Sequence, residues 1–307
     1  MTVRFDGQVA IVTGAGNGLG RSHALALAER GAKVVVNDLG GARDGSGSSS
    51  EAAQEVVALI KQKGGEAIAN GANVSSFEEV QAMVNQAMDA WGRVDILVNN
   101  AGILRDKSFS KMALEDFQTV MDVHLMGSVN CCKAVWEIMR QQQYGRIIMT
   151  ASSSGLYGNF GQSNYGAAKM ALVGLMNTLH LEGAKYGIHT NTLAPAAGTR
   201  MTEDLIPDKR VFDLMTPESV SAGLLALCCQ QAPSRQILCA GAGGYARARI
   251  YETDGIFLAP DEQTPENVLA GWDQLSDNSQ QKELQAGGEQ SLKFIGKAAA
   301  ALGIKLG

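Results

Sequence analysis

The sequence predicts a doubly wound α/β fold, a seven-stranded parallel sheet covered by helices on both faces, with a C-terminal helical extension. Two observations predict it. Short apolar, β-branched runs alternate with longer stretches of helical period as far as Ala240. Such alternation means right-handed βαβ crossovers, and those build a parallel sheet buried on both sides. The first strand also runs directly into a glycine-rich turn that opens a helix, Thr13-Gly14-Ala15-Gly16-Asn17-Gly18-Leu19-Gly20. Folds of this kind bind ligands beyond the carboxyl ends of the strands, at the switch in strand order.

The elements follow in order. Gln8–Val12 reads as a buried strand and Ser22–Glu29 as the helix after the turn, ended by Gly31. Lys33–Val36 is the next β-branched run, Ala52–Lys63 is helical, and Ala67–Ala72 is extended. Phe77–Ala90 is helical and Asp95–Asn99 is the fourth strand. Leu114–Gln141 reads as one long helix, followed by the strand Arg146–Ala151. Tyr165–Tyr186 is a second long helix before the strand His189–Ala194, and Glu218–Gln230 precedes the last strand, Gln236–Ala240. This organisation places one domain at 1–254 and a partly helical extension at 255–307. In the extension, Thr264 can cap a helix Thr264–Gln274 with Pro265 at its first position. The Gly/Ser-rich segment Gly40–Ser50 is expected to be a mobile, solvent-facing loop.

Composition excludes several classes. Apolar residues are 45% and charged residues 19% of the chain, enough to bury a core. A net charge of −5 without any Lys/Arg run argues against a nucleic-acid binder. The five cysteines show no metal-ligand spacing and no disulfide framework. They read as reduced thiols of a cytoplasmic protein that carries no metal. The start of the chain does not have the form of a signal peptide, its end is not a peroxisomal address, and no stretch is long enough to span a bilayer.

The glycine turn makes one end of a candidate site. Free backbone N–H groups and the positive end of the helix dipole suit a pyrophosphate, and glycines let it approach the backbone. That is the dinucleotide logic of a Rossmann-type sheet. Asp38, at the end of the second strand, is suited to accept hydrogen bonds from the adenosine ribose and to repel a 2′-phosphate; a plain turn residue is the other reading. With Asn17 rather than arginine ahead of Gly18, NAD is preferred to NADP, although Arg43 stands nearby.

Tyr165 and Lys169 make the other end. At i and i+4 they share a helix face. A tyrosine of ordinary pKa, about 10, is a poor base at neutral pH. A nearby ammonium together with a cationic nicotinamide would lower it, so that Tyr165 could take an alcohol proton as hydride leaves. Ser152, just after a strand, could hold the substrate oxygen where charge develops. A Tyr/Lys pair at this spacing is common by chance; the glycine turn, Asp38 and Ser152 give it weight.

Taken together these motifs resemble the short-chain dehydrogenase/reductase family over about Phe5 to Gly244. The match rests on the 13–20 turn, Asn99-Asn100-Ala101-Gly102, the serine before Gly155, and Tyr165-xxx-Lys169. A narrower resemblance is carried by Val35–Gly41, Asn99–Arg105, Tyr144–Met149 and Tyr157–Gln162, and extends to the loop after Asp38 and to Thr264–Trp272. It is similar to the (3R)-hydroxyacyl-CoA dehydrogenase units of type 2 peroxisomal multifunctional enzymes, here as a stand-alone, bacterial-type version. The resemblance implies NAD-linked oxidation of a (3R)-3-hydroxyacyl-CoA, with Tyr165 as acid/base, Ser152 orienting the oxygen, and Lys169 also holding the nicotinamide ribose. It implies a cofactor surrounded by Gly14, Asn17, Gly18, Leu19, Asp38, Asn73, Val74, Asn100, Ala101, Gly102, Tyr165, Lys169, Pro195, Ala197 and Thr199. His124 stands where the wider family has an active-site asparagine, as it does in the narrower group, and is either a proton relay or a helix-packing residue. Asn73 replaces the usual aspartate, and Ala196 the usual glycine.

The substrate side is less defined. Thr199–Thr216 is either a lid over an apolar chain or a plain amphipathic helix. Arg105, Lys107, Arg200, Lys209 and Arg210 are either contacts for CoA phosphates or solvated charges. Ala167, Ala171, Gly174 and Thr178 form a small-residue face that packs either on the chain's own sheet or on a second subunit, as a homodimer or homotetramer. The rival readings are a 3-oxoacyl-(acyl carrier protein) reductase, a steroid or alcohol dehydrogenase, and, in another class, a catalytically silent NAD sensor or scaffold. The expected partner is a small molecule, not a nucleic acid or a membrane.

Overall fold

Side chains of β1 (Val9–Thr13) alternate between two apolar cores, which places this strand at the centre of the sheet. The structure, a computed structural model, describes residues 2–197 and 208–305. Ala10 and Val12 face a core built with α1 (Gly18–Glu29), α2 (Glu51–Gln62) and α9 (Pro217–Cys228). Val9 and Ile11 face the other, built with α3 (Phe77–Trp91), α5 (Gly127–Gln142) and α7 (Ser163–Gly183). The same alternation continues in β2 (Lys33–Asn37), β4 (Ile96–Asn99) and β5 (Gly145–Thr150). A sheet buried on both faces is what the apolar runs required.

With β3 (Ala67–Asn70), β6 (Ile188–Ala196), β7 (Ile237–Gly241) and β8 (Gly244–Ala248), the strand order is β3-β2-β1-β4-β5-β6-β7-β8. β1 through β7 pair in parallel. The order reverses between β1 and β4, and there the carboxyl ends carrying Thr13 and Asn99 open a crevice.

Three expectations change. The sheet has eight strands, not seven: Ala242 (φ 48) and Gly243 (φ 77) make a two-residue connection that adds β8 at the edge. The run GYARA is exposed over most of its length and has no β-branched residue, so periodicity could not reveal it. The helix expected over Leu114–Gln141 is α4 (Leu114–Met121), a π-helical turn at Asp122–Met126, and α5. The third change concerns Gly40–Ser50, which folds back on the chain instead of running free. Short elements also appear that the sequence did not signal, among them α6 (Ser153–Tyr157) and α8 (Lys209–Phe212).

On α7 the sheet-facing residues are Ala168, Leu172, Val173 and Met176. Ala167, Gly174 and Thr178 are exposed and Ala171 half-buried. The small-residue face therefore does not pack on the chain's own sheet.

Arg146 ties the lower edge of the sheet together. Only 3% exposed, it donates to the carbonyls of Cys229, Gln230, Gly187 and Gly145 at 2.7–3.1 Å. Its guanidinium also stacks 4.3 Å above the Tyr144 ring. Two of those carbonyls end α9, so the cation sits at the negative end of a helix dipole. Arg146→Met removes a donor from four carbonyls, of which Cys229 O and Gly187 O keep a backbone N–H. It is expected to lower unfolding free energy by about 3 kcal/mol, seen as a lower urea midpoint at unchanged slope.

The chain divides into two compact units, Met1–Arg247 and Ala248–Gly307. In the second, α10 (Pro265–Ala270) is capped by Thr264, whose hydroxyl accepts from Asn267 N at 3.2 Å. Gly271 separates it from α11 (Trp272–Leu275), where one helix was expected. α12 (Gly287–Ala301) is held to the 252–255 segment by Lys293 on Glu252 and Lys297 on Asp254.

Candidate active site

Thr13, at the end of β1, organises the turn above it. Its hydroxyl accepts from the backbone N–H of Asn100 and Ala101 at 3.0 and 3.1 Å. The Asn100 amide donates to the carbonyls of Thr13 and Gly14. The β1 turn and the β4 turn are thus locked edge to edge. A Cβ on Gly14 would lie 2.8 Å from Ala101 Cα, and one on Gly20 2.2 Å from Gly14 O. Only glycine permits the two turns to meet, which leaves backbone N–H groups at the start of α1 for an anion.

Above this floor lies a cavity of about 540 Å³, within the size range of small-molecule and cofactor sites. Gly14, Asn17, Gly18, Leu19, Asp38, Asn73, Val74, Asn100, Ala101, Gly102, His124, Tyr165, Lys169 and Pro195 all line it. Ser152 and Ala197 do not. Ser152 is buried behind Tyr165 and hydrogen-bonds with it. Ala197 belongs to the core with Val220 and Leu224. Thr199, Arg200 and, from the candidate lid or amphipathic helix, Met201, Leu205 and Ile206 lie outside the described residues. The sequence did not single out Leu39, Gly45, Ile103, Asp122 or Thr150 as lining residues. Their only signal is position beside a motif.

Asp38 lines the cavity away from Tyr165 and Lys169, beside the glycine turn. Its carboxylate accepts from Gly16 N and Gly40 N, both at 2.7 Å. A carboxylate has further lone pairs for ribose hydroxyls, and its charge opposes a phosphate. These features fit a dinucleotide: a cradle that side chains would fill, a carboxylate at one end and, at the other, buried polar atoms without partners. Those atoms are His124 Nδ1 and Thr150 Oγ1.

At the chemical end, Lys169 Nζ donates to Thr150 O at 2.6 Å and lies 5.4 Å from the Tyr165 ring centre. Burial pulls the Lys169 ammonium down to about 7. Burial also pushes Tyr165 up; the Ser152 hydrogen bond offsets part of that, and Asp106 adds to it. In the chain by itself desolvation sets the direction, and the lowering expected from the sequence depends on a nicotinamide charge that the chain does not supply.

His124 occupies the π-helical turn. Its Nε2 is 2.8 Å from Ile103 O and 3.1 Å from Ile103 N, and its ring meets Tyr165 edge to face at 5.2 Å. A Cβ on Gly102 would come within 2.3 Å of His124 Cε1, so the glycine makes room for the ring. Burial, with the Lys169 charge behind it, pulls His124 down to about 3, so it is neutral. The ring packs against Tyr165, and its Nδ1 is buried without a partner. The extra residue of a π-turn re-aims one side chain without breaking the helix.

Of the cations considered for CoA phosphates, the four within the described residues are paired. Arg105 and Lys107 reach Asp116 at 2.9 and 3.9 Å, Lys209 reaches Asp213, and Arg210 reaches Asp208. All five cysteines are free, and burial pushes Cys131, Cys132 and Cys228 well above the ordinary thiol range. Among the described residues there is no His/Cys/Asp/Glu group able to hold a metal, and no helix long and apolar enough to cross a membrane.

A family profile described as short chain dehydrogenase matches residues 8–210. The chain is 49% identical over 280 residues to peroxisomal multifunctional enzyme type 2 of Mus musculus, covering 90% of this chain and 38% of that one. It is 48% identical over 274 residues to a short-chain type dehydrogenase/reductase of Mycobacterium tuberculosis, covering 89% and 95%. The structure of full-length peroxisomal multifunctional enzyme type 2 from Drosophila melanogaster superposes with a TM-score of 0.79 at 37% identity, covering 98% of this chain and 50% of that one. The chain thus spans only about two-fifths of the mouse protein's length.

Proposed function

The chain belongs to the short-chain dehydrogenase family, and we propose that it oxidises a (3R)-3-hydroxyacyl-CoA to the 3-oxoacyl-CoA with NAD as the acceptor. Family membership makes it an oxidoreductase acting on CH–OH groups with a nicotinamide dinucleotide, NAD or NADP. The narrower reading rests on one observation: Tyr165 and Lys169 line one end of a cavity whose other end is Asp38, and Ser152 hydrogen-bonds Tyr165 from behind. Similarity to multifunctional enzymes over nearly the whole chain supports an acyl-CoA substrate.

The residues divide the work. Ser152 and Tyr165 hold the substrate oxygen between two hydroxyls. Tyr165, as phenolate, takes the hydroxyl proton at Oη, and in the reverse direction its O–H returns it. Lys169, anchored on Thr150 O, keeps two N–H donors for ribose hydroxyls and sets a positive charge beside the phenolate. Asp38 selects against a 2′-phosphate, and the N–H groups around Gly18 and Leu19 hold pyrophosphate. The bound dinucleotide supplies the hydride acceptor. The exposed Ala167, Gly174 and Thr178 face on α7 supports a homodimer or homotetramer, and a cytoplasmic setting accords with the reduced thiols.

The test follows NADH formation with (3R)- and (3S)-3-hydroxyacyl-CoA over several chain lengths, repeated with NADP. Turnover of the 3R series with NAD at least about tenfold above the 3S series and above NADP is the expected result. Turnover only of an acyl carrier protein thioester with NADPH, or only of a steroid alcohol, overturns it.

A further inference from the structure

Gly40–Ser50 is the segment that departs most from its expected behaviour. Eight of its eleven residues are Gly or Ser, a composition that favours a free coil. It is nevertheless closed on itself and docked. At its base, Gly40 N donates to Asp38 and Ser49 N to Leu39 O at 3.0 Å. At its tip, Ala42 N donates to Ser46 O, while Ser46 N and Oγ donate to Asp44 Oδ1. The tip then meets the strand of chain after β4. Leu104 N donates to Arg43 O at 3.0 Å, and Arg105 Nε to Asp44 O at 3.1 Å. Gly45 (φ 88) lies against Ile103, where a Cβ would come within 3.2 Å of the side chain.

The landing segment is also the support of the chemical end. Arg105 holds Asp116 on α4 through its other nitrogen. Arg105 O accepts from the Asn164 amide at 3.1 Å, and Asn164 Oδ1 accepts from Tyr165 N at 2.7 Å. Ile103 is the backbone partner of His124. Gly41, Ala42, Arg43 and Gly45 meanwhile line the cavity beside Asp38.

We propose that residues 40–49 are a strap closed over the dinucleotide and that Arg105 is its latch, a positioning residue that couples cofactor retention to the segment bracing Tyr165. The strap is held by few contacts against the high conformational freedom of its glycines and serines, so it stands near balance between docked and open. Cofactor entry and release require it to lift. The proposal rests on this cavity holding a nicotinamide dinucleotide. It is read on dinucleotide release, not on acyl-CoA turnover, so the two readings fail separately.

The experiment uses the full chain and whichever of NADH and NADPH binds more tightly, released in stopped flow by an excess of the oxidised form and followed by fluorescence. Arg105→Met, which keeps the stem and removes both donors, is expected to speed release about tenfold. Gly45→Val, which blocks docking without touching Arg105, is expected to do the same. Arg105→Lys falls between Arg105→Met and the native chain. In steady state the KM for the dinucleotide rises in Arg105→Met, while the KM for the hydroxyl substrate stays within about twofold. In the native chain, bound dinucleotide is expected to suppress trypsin cleavage after Arg43, a readout independent of every variant. Release rates unchanged in both Arg105→Met and Gly45→Val overturn the proposal, as does cleavage after Arg43 that ignores the dinucleotide.

Discussion

Tyr165→Phe is expected to lower kcat in both directions by about 10²–10⁴-fold, the usual contribution of a positioned acid/base, with dinucleotide affinity within about twofold of the native chain. Phenylalanine keeps the ring that His124 packs against edge to face and removes only the oxygen that Ser152 bonds. A loss in kcat without a change in dinucleotide binding therefore reports proton transfer rather than a damaged pocket. The pH profile gives a second reading. Burial pushes Tyr165 up, so at neutral pH it carries its proton, the form needed to reduce a ketone. Oxidation needs the phenolate and is expected to speed up with rising pH, whereas reduction holds near neutrality and falls at alkaline pH. A Tyr165→Phe enzyme retaining more than about a tenth of native kcat would remove Tyr165 from the acid/base role.

The second large effect is on stability in acid. His23 is fully buried between α1 and α9, its Nδ1 2.7 Å from Ser221 Oγ and its Nε2 without a partner. Burial pulls it down to about 3, as it does His124. Both groups are neutral when folded and take up protons when unfolded, once pH falls below about 6.5. The unfolded state then binds more protons, so stability falls with decreasing pH at about 1.4 kcal/mol per unit for each histidine until the folded-state values near 3 are reached. Two histidines cost about 2 kcal/mol between pH 6.5 and 5.5, a window below the titration of Lys169 at about 7. His180 and His189 are lowered too, and add in the same sense. Against a total of about 5–15 kcal/mol, this loss is a substantial fraction and begins above the pH at which carboxylates protonate. Urea unfolding at the two pH values measures the difference, and His23→Asn is expected to remove roughly half of it. Equal stability at pH 6.5 and 5.5 would falsify the assignment of two neutral buried histidines.

Much of this was legible in the chain itself. The parallel sheet follows from apolar runs such as Val9–Val12 and Val34–Val36, whose side chains fill a core on each face. The glycine turn, Asp38, Tyr165 and Lys169 converge on one cavity because each sits at a strand end or helix start, where spacing in sequence translates into position in space. Contacts set by tertiary context were not legible. β8 is five residues that become a strand because β7 offers an edge. The direction of the Tyr165 shift depends on how deeply the ring is buried, which spacing does not encode. The docking of Gly40–Ser50 comes from backbone carbonyls meeting Leu104 and Arg105, groups that every sequence carries.

The π-helical turn at Asp122–Met126 has a consequence for length changes in this region. It accommodates one residue more than an α-helix would between Val120, in the core beneath Tyr165, and Cys131, Val135 and Met139 in the core of the next layer. Deleting a single residue there would let the helix close into regular turns with α4 and α5 still in their present register, because the wide turn already absorbs the extra residue. The cost would fall on His124, whose ring would lose its aim at the cavity. Deleting a residue from the regular turns on either side would instead rotate α5 by about 100° relative to α4 and carry its apolar stripe toward solvent. A one-residue deletion is therefore absorbed by the packing only at this turn, although no turn residue marks it.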